Sequence, residues 1–243
     1  GRLRLPKGTT IPVVWSRELP SEPTSVRVYQ DSLGHWYVSF VVRRQVGPLH
    51  EADGAIGIDW GVKTTATTTS PDYDLPHVGA RKATAADLAK AQRKMARRRK
   101  PKGQPQTKGY QRAKRQAAKV TKKAQRRNTH TGRQWARKVV ADHQLIAVED
   151  FRPTFLATST MARKAADAAV STIKRTLIEY AERAGRKVVL VQPAYTTMTC
   201  HGCFARTKRL MLGDRVFVCD ACGLVDDRDR NAARVTLAVA ERG

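Results

Sequence analysis

The stretch Ala55-Ile-Gly-Ile-Asp-Trp-Gly-Val-Lys-Thr-Thr-Ala-Thr67 decides the fold. An apolar run delivers one carboxylate, Asp59, and turns back through Gly61 into a threonine-rich run, the pattern of a strand, a tight turn and a second strand. Alternation sets Ile56 and Ile58 on one face and Gly57 with Asp59 on the other. The first face is expected to pack on a core, the second to carry an acid beside a glycine that leaves room for a ligand. Two uses of Asp59 stay open at this point: a turn cap closed through its own backbone, or one member of a site completed by other acids.

Two later stretches supply such acids. Gln144-Leu-Ile-Ala-Val-Glu-Asp150 repeats the design, an apolar strand ending in Glu149 and Asp150. Asp226-Asp-Arg-Asp-Arg-Asn-Ala-Ala233 opens the last helix with a knot of acids. Asp226 or Asp227 suits an N-cap, whereas Asp229, followed by Asn231 and small alanines, suits a carboxylate held near the sheet. Between these stretches an amphipathic helix is expected over Thr160–Arg183, stopping at Gly185, and a buried strand over Lys187–Gln192. The succession of three strands, helix, strand, helix and strand predicts an α/β domain with a mixed sheet. Gathered carboxylates repel unless cations lie between them, and hard Mg²⁺ takes oxygen ligands. Two such ions about 4 Å apart activate a water and stabilise the leaving oxygen of a phosphodiester.

Charge says what such a site acts on. The 243 residues carry 46 Lys and Arg against 21 Asp and Glu, a net +25 and a pI near 10.7. A polyanion, nucleic acid, is the expected partner. An acidic membrane surface is the competing reading, but an apolar run of about 18 residues and a secretory signal are both lacking. The expectation is an intracellular, cytoplasmic protein associated with the nucleoid. Length allows one large domain or two small ones, and a first residue that is Gly1 rather than Met suggests the C-terminal part of a longer protein. Composition does not set the oligomeric state.

The charge is concentrated. Residues 81–140 hold 22 Lys and Arg against the one acid Asp87, a net +21. A capping box of Thr84 and Asp87 predicts a helix over Thr84–Arg98, broken over Pro101–Gly109 and succeeded by a second from Tyr110 to Lys138. Solvated helix faces are the plain alternative. Phosphate neutralisation better explains a block this unbalanced. The expected grips are Arg93, Lys94, Arg97, Arg98, Arg99 and Lys100 on the first helix, with Arg112, Lys114, Arg115, Lys122, Lys123, Arg126 and Arg127 on the second. Residues 1–50 read as β, with strands at Leu3–Leu5, Ile11–Val14, Ser25–Tyr29 and Trp36–Arg43 and a turn at Asp31–Gly34. A small sheet or partial barrel is expected there, with Gly47-Pro48 and Glu51–Gly54 as the linker into the next domain.

The four cysteines fall in two C-x2-C pairs, Cys200 with Cys203 and Cys219 with Cys222, fifteen residues apart around an expected hairpin from Leu210 to Val218. Four thiolates at this spacing form a closed tetrahedral site for structural Zn²⁺. His201, inside the first knuckle, reads as a bystander rather than a fifth ligand.

Gly57-Ile-Asp-Trp-Gly-Val-Lys63, Val148-Glu-Asp150, the two knuckles and Asp227-Arg-Asp-Arg-Asn-Ala-Ala233 together resemble the RuvC-type nuclease domain, with its inserted zinc ribbon, of transposon-encoded TnpB proteins and compact type V CRISPR effectors. Trp60 departs from the aliphatic residue usual there. The resemblance implies an RNase H-like mixed sheet and a small β wedge segment of the oligonucleotide-binding kind. It divides the chain into wedge (1–52), RuvC with the basic insertion (53–195, insertion 81–140), zinc ribbon (196–224) and the third RuvC motif with the final helix (225–243). It implies Asp59, Glu149 and Asp229 as Mg²⁺-binding catalytic acids, and Cys200, Cys203, Cys219 and Cys222 as zinc ligands. It further implies a guide RNA, a target DNA chosen by pairing and a short adjacent motif, and a helical recognition domain ahead of residue 1. The expected activity is RNA-guided DNA cleavage. The alternatives are a module that silences by occupancy, and a recombinase or transposase.

Overall fold

The computed structural model describes residues 1–43, 51–150, 169–207, 210–211 and 213–242. The chain divides into two units, Gly1–Val46 with Lys90–Lys119, and Gly47–Ala89 with Val120–Gly243. In the first, β1 (Arg2–Arg4) pairs antiparallel with β2 (Thr10–Pro12), and β3 (Pro23–Gln30) with β4 (Trp36–Val42). These are separate two-stranded sheets, so the partial barrel expected over 1–50 is not formed among the described residues. The turn of the second hairpin obeys its sequence: Asp31 Oδ1 accepts from the backbone N–H of Leu33 at 2.8 Å and His35 at 3.0 Å, and Gly34 takes φ +86°.

The second unit holds a five-stranded sheet. In chain order come the strands β5 (Gly54–Trp60), β6 (Thr64–Thr68) and β7 (Leu75–Pro76), the short helix α1 (Ala80–Ala83), and the long helices α2 (Ala85–Arg98) and α3 (Lys108–Asp142), of which residues 90–119 belong to the first unit. Then come β8 (His143–Glu149), α4 (Val170–Arg183), β9 (Lys187–Val191), the ribbon strands β10 (Val216–Val218) and β11 (Val225–Asp227), and α5 (Arg228–Arg242). The order across the sheet is β7-β6-β5-β8-β9, with β5–β6 and β6–β7 antiparallel, β5–β8 and β8–β9 parallel. The two strands that end in acids are therefore central neighbours.

The alternation along β5 is realised on both faces. Ile56 and Ile58 are fully buried with Trp135, Ala136 and Val139 of α3 and Ile173 and Leu177 of α4. On the opposite face α5 lies so close that a Cβ on Gly57 would come within 2.0 Å of the Ala233 carbonyl oxygen. This corrects the expected role of Gly57: the space it leaves is taken by a helix, not a ligand. Gly132 works alike on α3, where a Cβ would lie 2.7 Å from Ile173 Cγ1. Trp60 fits because Trp135 meets it edge-to-face, ring centroids 5.9 Å apart.

The basic helices begin and end close to expectation, with differences of local cause. Thr84 donates its hydroxyl back to the carbonyls of Ala80 and Arg81, closing α1, where a capping box with Asp87 was expected. The break between α2 and α3 is closed by Gln106, whose amide bonds both the N–H and the carbonyl of Lys100 at 3.0 Å. Along α3, Ala113, Val120, Ala124, Trp135 and Val139 are buried at helical spacing while most of the intervening Lys and Arg are exposed. Of the helix expected over Thr160–Arg183, the part from Val170 is α4; the residues up to 168 lie outside the described ones. Strand β9 closes one edge of the sheet, so Leu190 is 51% exposed where a buried strand was expected. The ribbon differs too: β10 pairs with β11, Val216 opposite Asp227, so among the described residues the hairpin closes around the second knuckle rather than within Leu210–Val218.

Candidate functional site

Asp59 is the penultimate residue of β5 and Glu149 the last of β8, in adjacent parallel strands. Both are buried, at 6% and 5% exposure. Asp229 lies in the first turn of α5, the helix seated against Gly57. Burial first, then the charges of Glu149 and Asp229, hold the Asp59 carboxyl well above the ordinary carboxylate range, with Arg228 pulling the other way. Burial also raises Glu149, offset by the Thr196 hydroxyl and by Lys174. Carboxylates gathered at the ends of two central strands and at a helix start, one of them hard to ionise, form an arrangement that a cation would relieve.

The neighbouring acids have structural partners. Asp227 is the N-cap of α5: its Oδ1 accepts from the N–H groups of Asp229 and Arg230, each at 3.0 Å. Asp226 pairs with Arg234 at 2.6 Å and with the His201 ring at 3.6 Å. Asp150 pairs with Lys174 of α4 at 2.6 Å. Asp229 keeps a loose contact, 3.6 Å, to exposed Arg215.

Sequence reasoning missed the residues that hold these acids. Thr196, a few residues past β9, donates its hydroxyl to Glu149 Oε1 at 2.9 Å. Asn231, fully buried, gives its amide N–H to the Thr199 carbonyl at 2.7 Å and accepts with Oδ1 from the backbone N–H of His201 at 3.0 Å, with the His201 ring also at 3.0 Å. Arg230 forks onto Asp74 at 2.9 and 2.8 Å and also donates to the Thr68 carbonyl, while Asp74 accepts from the Thr68 N–H at 2.8 Å. These contacts fasten the start of α5 to the β6–β7 connection on one side and to the first knuckle on the other. His201 is a spacer between knuckle and helix. Nothing in the spacing of Thr196, Asn231 or Arg230 signals this, since their partners lie 30 or more residues away along the chain.

The four cysteines converge. Their sulfur atoms lie within 4.8 Å of one another, close enough to hold one metal ion. Cys200 Sγ lies 3.7 Å from Cys222 Sγ, and Cys203 Sγ 3.6 Å from Cys219 Sγ. These are not disulfides. They match the edge of about 3.8 Å expected for a ZnS₄ tetrahedron with Zn–S bonds of about 2.3 Å. The thiols are electrostatically unequal. The Cys222 N–H draws Cys219 down to about 7, whereas Cys222, despite the Leu224 N–H, is pushed up to about 12 by the thiols of Cys203 and Cys219. Four thiolates cannot coexist there without a cation.

Of the expected phosphate grips, Arg93, Lys94, Arg97, Arg98, Arg99, Lys100, Arg112, Lys114, Arg115, Lys123, Arg126 and Arg127 are exposed, and Lys122 is half-buried. Arg98 also donates to the Gly109 carbonyl at 3.2 Å, which ties the end of α2 to the start of α3. No helix among the described residues is long and apolar enough to cross a membrane.

Known proteins match most of the chain. A family model described as "Probable transposase" (OrfB_IS605) matches residues 39–159, and one described as "Cas12f1-like, TNB domain" matches residues 171–236. The chain is 33% identical over 244 residues to a "Putative RNA-guided DNA endonuclease" of Streptomyces pristinaespiralis, covering 98% of this chain and 59% of that protein. It is 28% identical over 266 residues to the "Putative RNA-guided DNA endonuclease InsQ" of Escherichia coli (strain K12), covering 98% of this chain and 61% of the relative. The chain thus spans about three fifths of these relatives. In fold it is similar to a chain of the Cas12f1–sgRNA–target DNA complex solved by cryo-EM, with a TM-score of 0.58 and 16% identity over 87% of this chain and 44% of that one. Along its length the chain thus matches, in order, the model of the OrfB (IS605-type, TnpB) proteins and that of the Cas12f1-like TNB domain.

Proposed function

We propose that this chain is the cleaving part of an RNA-guided DNA endonuclease, an RNase H-like RuvC domain whose catalytic acids are Asp59, Glu149 and Asp229. The observation that carries this is the burial of Asp59 at the end of β5 with Glu149 and Asp229 raising its pKa, a charge arrangement that costs stability and that a divalent cation would relieve. The strand order, three antiparallel strands and then two parallel ones, supports the RNase H-like reading. The carboxylate oxygens suit Mg²⁺. When bound, Mg²⁺ would supply activation of a water and neutralisation of the leaving oxygen. The chain's own part is to hold the acids: Thr196 orients Glu149, Lys174 occupies Asp150, and Asp227 commits its carboxylate to the helix cap and leaves Asp229 for the metal. Zinc on Cys200, Cys203, Cys219 and Cys222 fixes the ribbon ahead of the third acid.

The basic faces of α2 and α3 fit a guide RNA or a guide–target duplex, gripped through phosphates. Affinity should then fall steeply with salt, and Arg97→Gln, Arg98→Gln and Arg99→Gln together should weaken all sequences alike and flatten the salt slope by roughly three charges. The deciding experiment is Mg²⁺-dependent cutting of guide-matched DNA by the full-length protein, wild type against Asp59→Ala. The variant should lose on the order of 10³-fold in rate while still binding. A wild type that binds its matched target but never cuts under any divalent metal means a protein that acts by occupancy.

A further inference from the structure

Tyr195 combines three features that its place in the chain does not require. It has φ +66°, one of four non-glycine residues with positive φ among those described. A bulky side chain there carries backbone strain, and its carbonyl is fixed by the N–H of Met198 and the hydroxyl of Thr199, each at 2.9 Å. The residue stays 52% exposed. The Arg206 guanidinium lies 3.5 Å from its centroid, and an isolated bridge between Thr199 and Arg206 fixes the arginine backbone against the same segment. The next residue, Thr196, is buried and holds Glu149. Of two consecutive residues, Thr196 therefore grips an acid of the candidate site while Tyr195 stays exposed with a cation on its ring. The turn alone would be served by glycine or asparagine, which take positive φ at less cost.

We propose that Tyr195 and Arg206 form a nucleotide subsite for the strand that enters the acid cluster, a base stacking on the tyrosine ring and an adjoining phosphate meeting the guanidinium. The guanidinium covers one face of the ring and leaves the other to stack on any base, so the subsite holds single strands without reading sequence. It deepens the endonuclease reading and rests on it. Bases in a duplex are already stacked, so the subsite favours a strand that has been separated.

The test has two arms on the full-length protein. In Ca²⁺, single-stranded DNA carrying 5-iododeoxyuridine is photo-cross-linked and the adduct mapped. An adduct at Tyr195, lost in Tyr195→Leu, is expected; cross-linking confined to other residues, or none, overturns the subsite whether or not the protein cuts. In Mg²⁺, with guide-matched single-stranded DNA, Tyr195→Leu and Arg206→Gln are expected to raise KM about tenfold with kcat within about twofold, and Tyr195→Phe to behave as wild type. A fall in kcat at unchanged KM would mean that Tyr195 merely props Thr196, and would overturn the proposal while leaving the acids' role intact. A wild type that cross-links at Tyr195 but never cuts would support the subsite and defeat the cleavage reading instead.

Discussion

The thiol cluster and the acid cluster both gather like-charged ligands, yet they are assembled in opposite ways. The thiols come from two four-residue knuckles on one short ribbon and already stand 3.6 and 3.7 Å apart in pairs. The carboxylates come from β5, β8 and α5 and owe their positions to a sheet register, a helix cap and long-range hydrogen bonds. A ribbon with one small core around Cys200, Phe217 and Cys219 would draw much of its order from a metal bound to its four thiols. The acid cluster should stand without metal, because the sheet already fixes its strands.

The sharpest way to break this contrast is Cys219→Ser. Zinc content should drop from one per chain to near zero, and hydrogen exchange over Cys200–Gly223 should become fast, with β5 and β8 still protected; equal loss in both regions would mean that the sheet too depends on the ribbon. Next in size is the pair Asp229→Ala and Asp227→Ala. The first should cost on the order of 10³-fold in cutting. The second should cost about 1 kcal/mol of stability through the lost cap and little activity. Inverted results would reassign the third acid.

Thr196→Val sharpens the comparison at the point where the ribbon's lead-in meets an acid. Removing the hydroxyl that orients Glu149 should lower kcat about tenfold with zinc content and KM unchanged, and Thr196→Ser should restore it. A variant that also lost zinc would show the segment to be a mere tether.

The smallest effect is a pH dependence. Asp59 and Glu149 have folded pKa values above their unfolded ones, burial being the first cause in each. The folded chain therefore holds more protons between the unfolded values, near about 4, and the raised folded ones, so metal-free stability falls as pH climbs through that window. Asp59→Asn should flatten the decline and raise the metal-free melting temperature at neutral pH while abolishing cutting. A lower melting temperature would mean that the carboxylate is stabilised by its neighbours, contrary to the charge arrangement described.

How much was legible depends on how local each signal is. The knuckles announce themselves because their ligands are neighbours in sequence. Asp59 and Glu149 were legible as acids at the ends of apolar strands, and the alternation of Ile56 and Ile58 was enough to orient β5. The basic helices were legible from charge and helix-forming residues to within a few positions. What escaped depends on partners distant in the chain: Thr196 on Glu149, Asn231 on the first knuckle, Arg230 on Asp74. The pairing of β10 with β11 escaped for another reason: each strand is only three residues long, and the second knuckle lies between them. The role of Gly57 was misread for a related reason, since alternation says which face a glycine is on and nothing about what fills the space.

That glycine bears on how such a protein can change. Gly57 stands two residues before Asp59, and Ala233, whose carbonyl occupies the missing Cβ position, stands one helical turn after Asp229. The separation of the first and third acids is thus gauged by main chain touching main chain. Side-chain exchange elsewhere in the core can alter how firmly the two elements are pressed together, but it has little leverage on how far apart they lie. A lineage under pressure to cut faster, or to stop cutting, is left with the acids themselves and the residues that aim them as its adjustable parts, while their spacing is inherited unchanged.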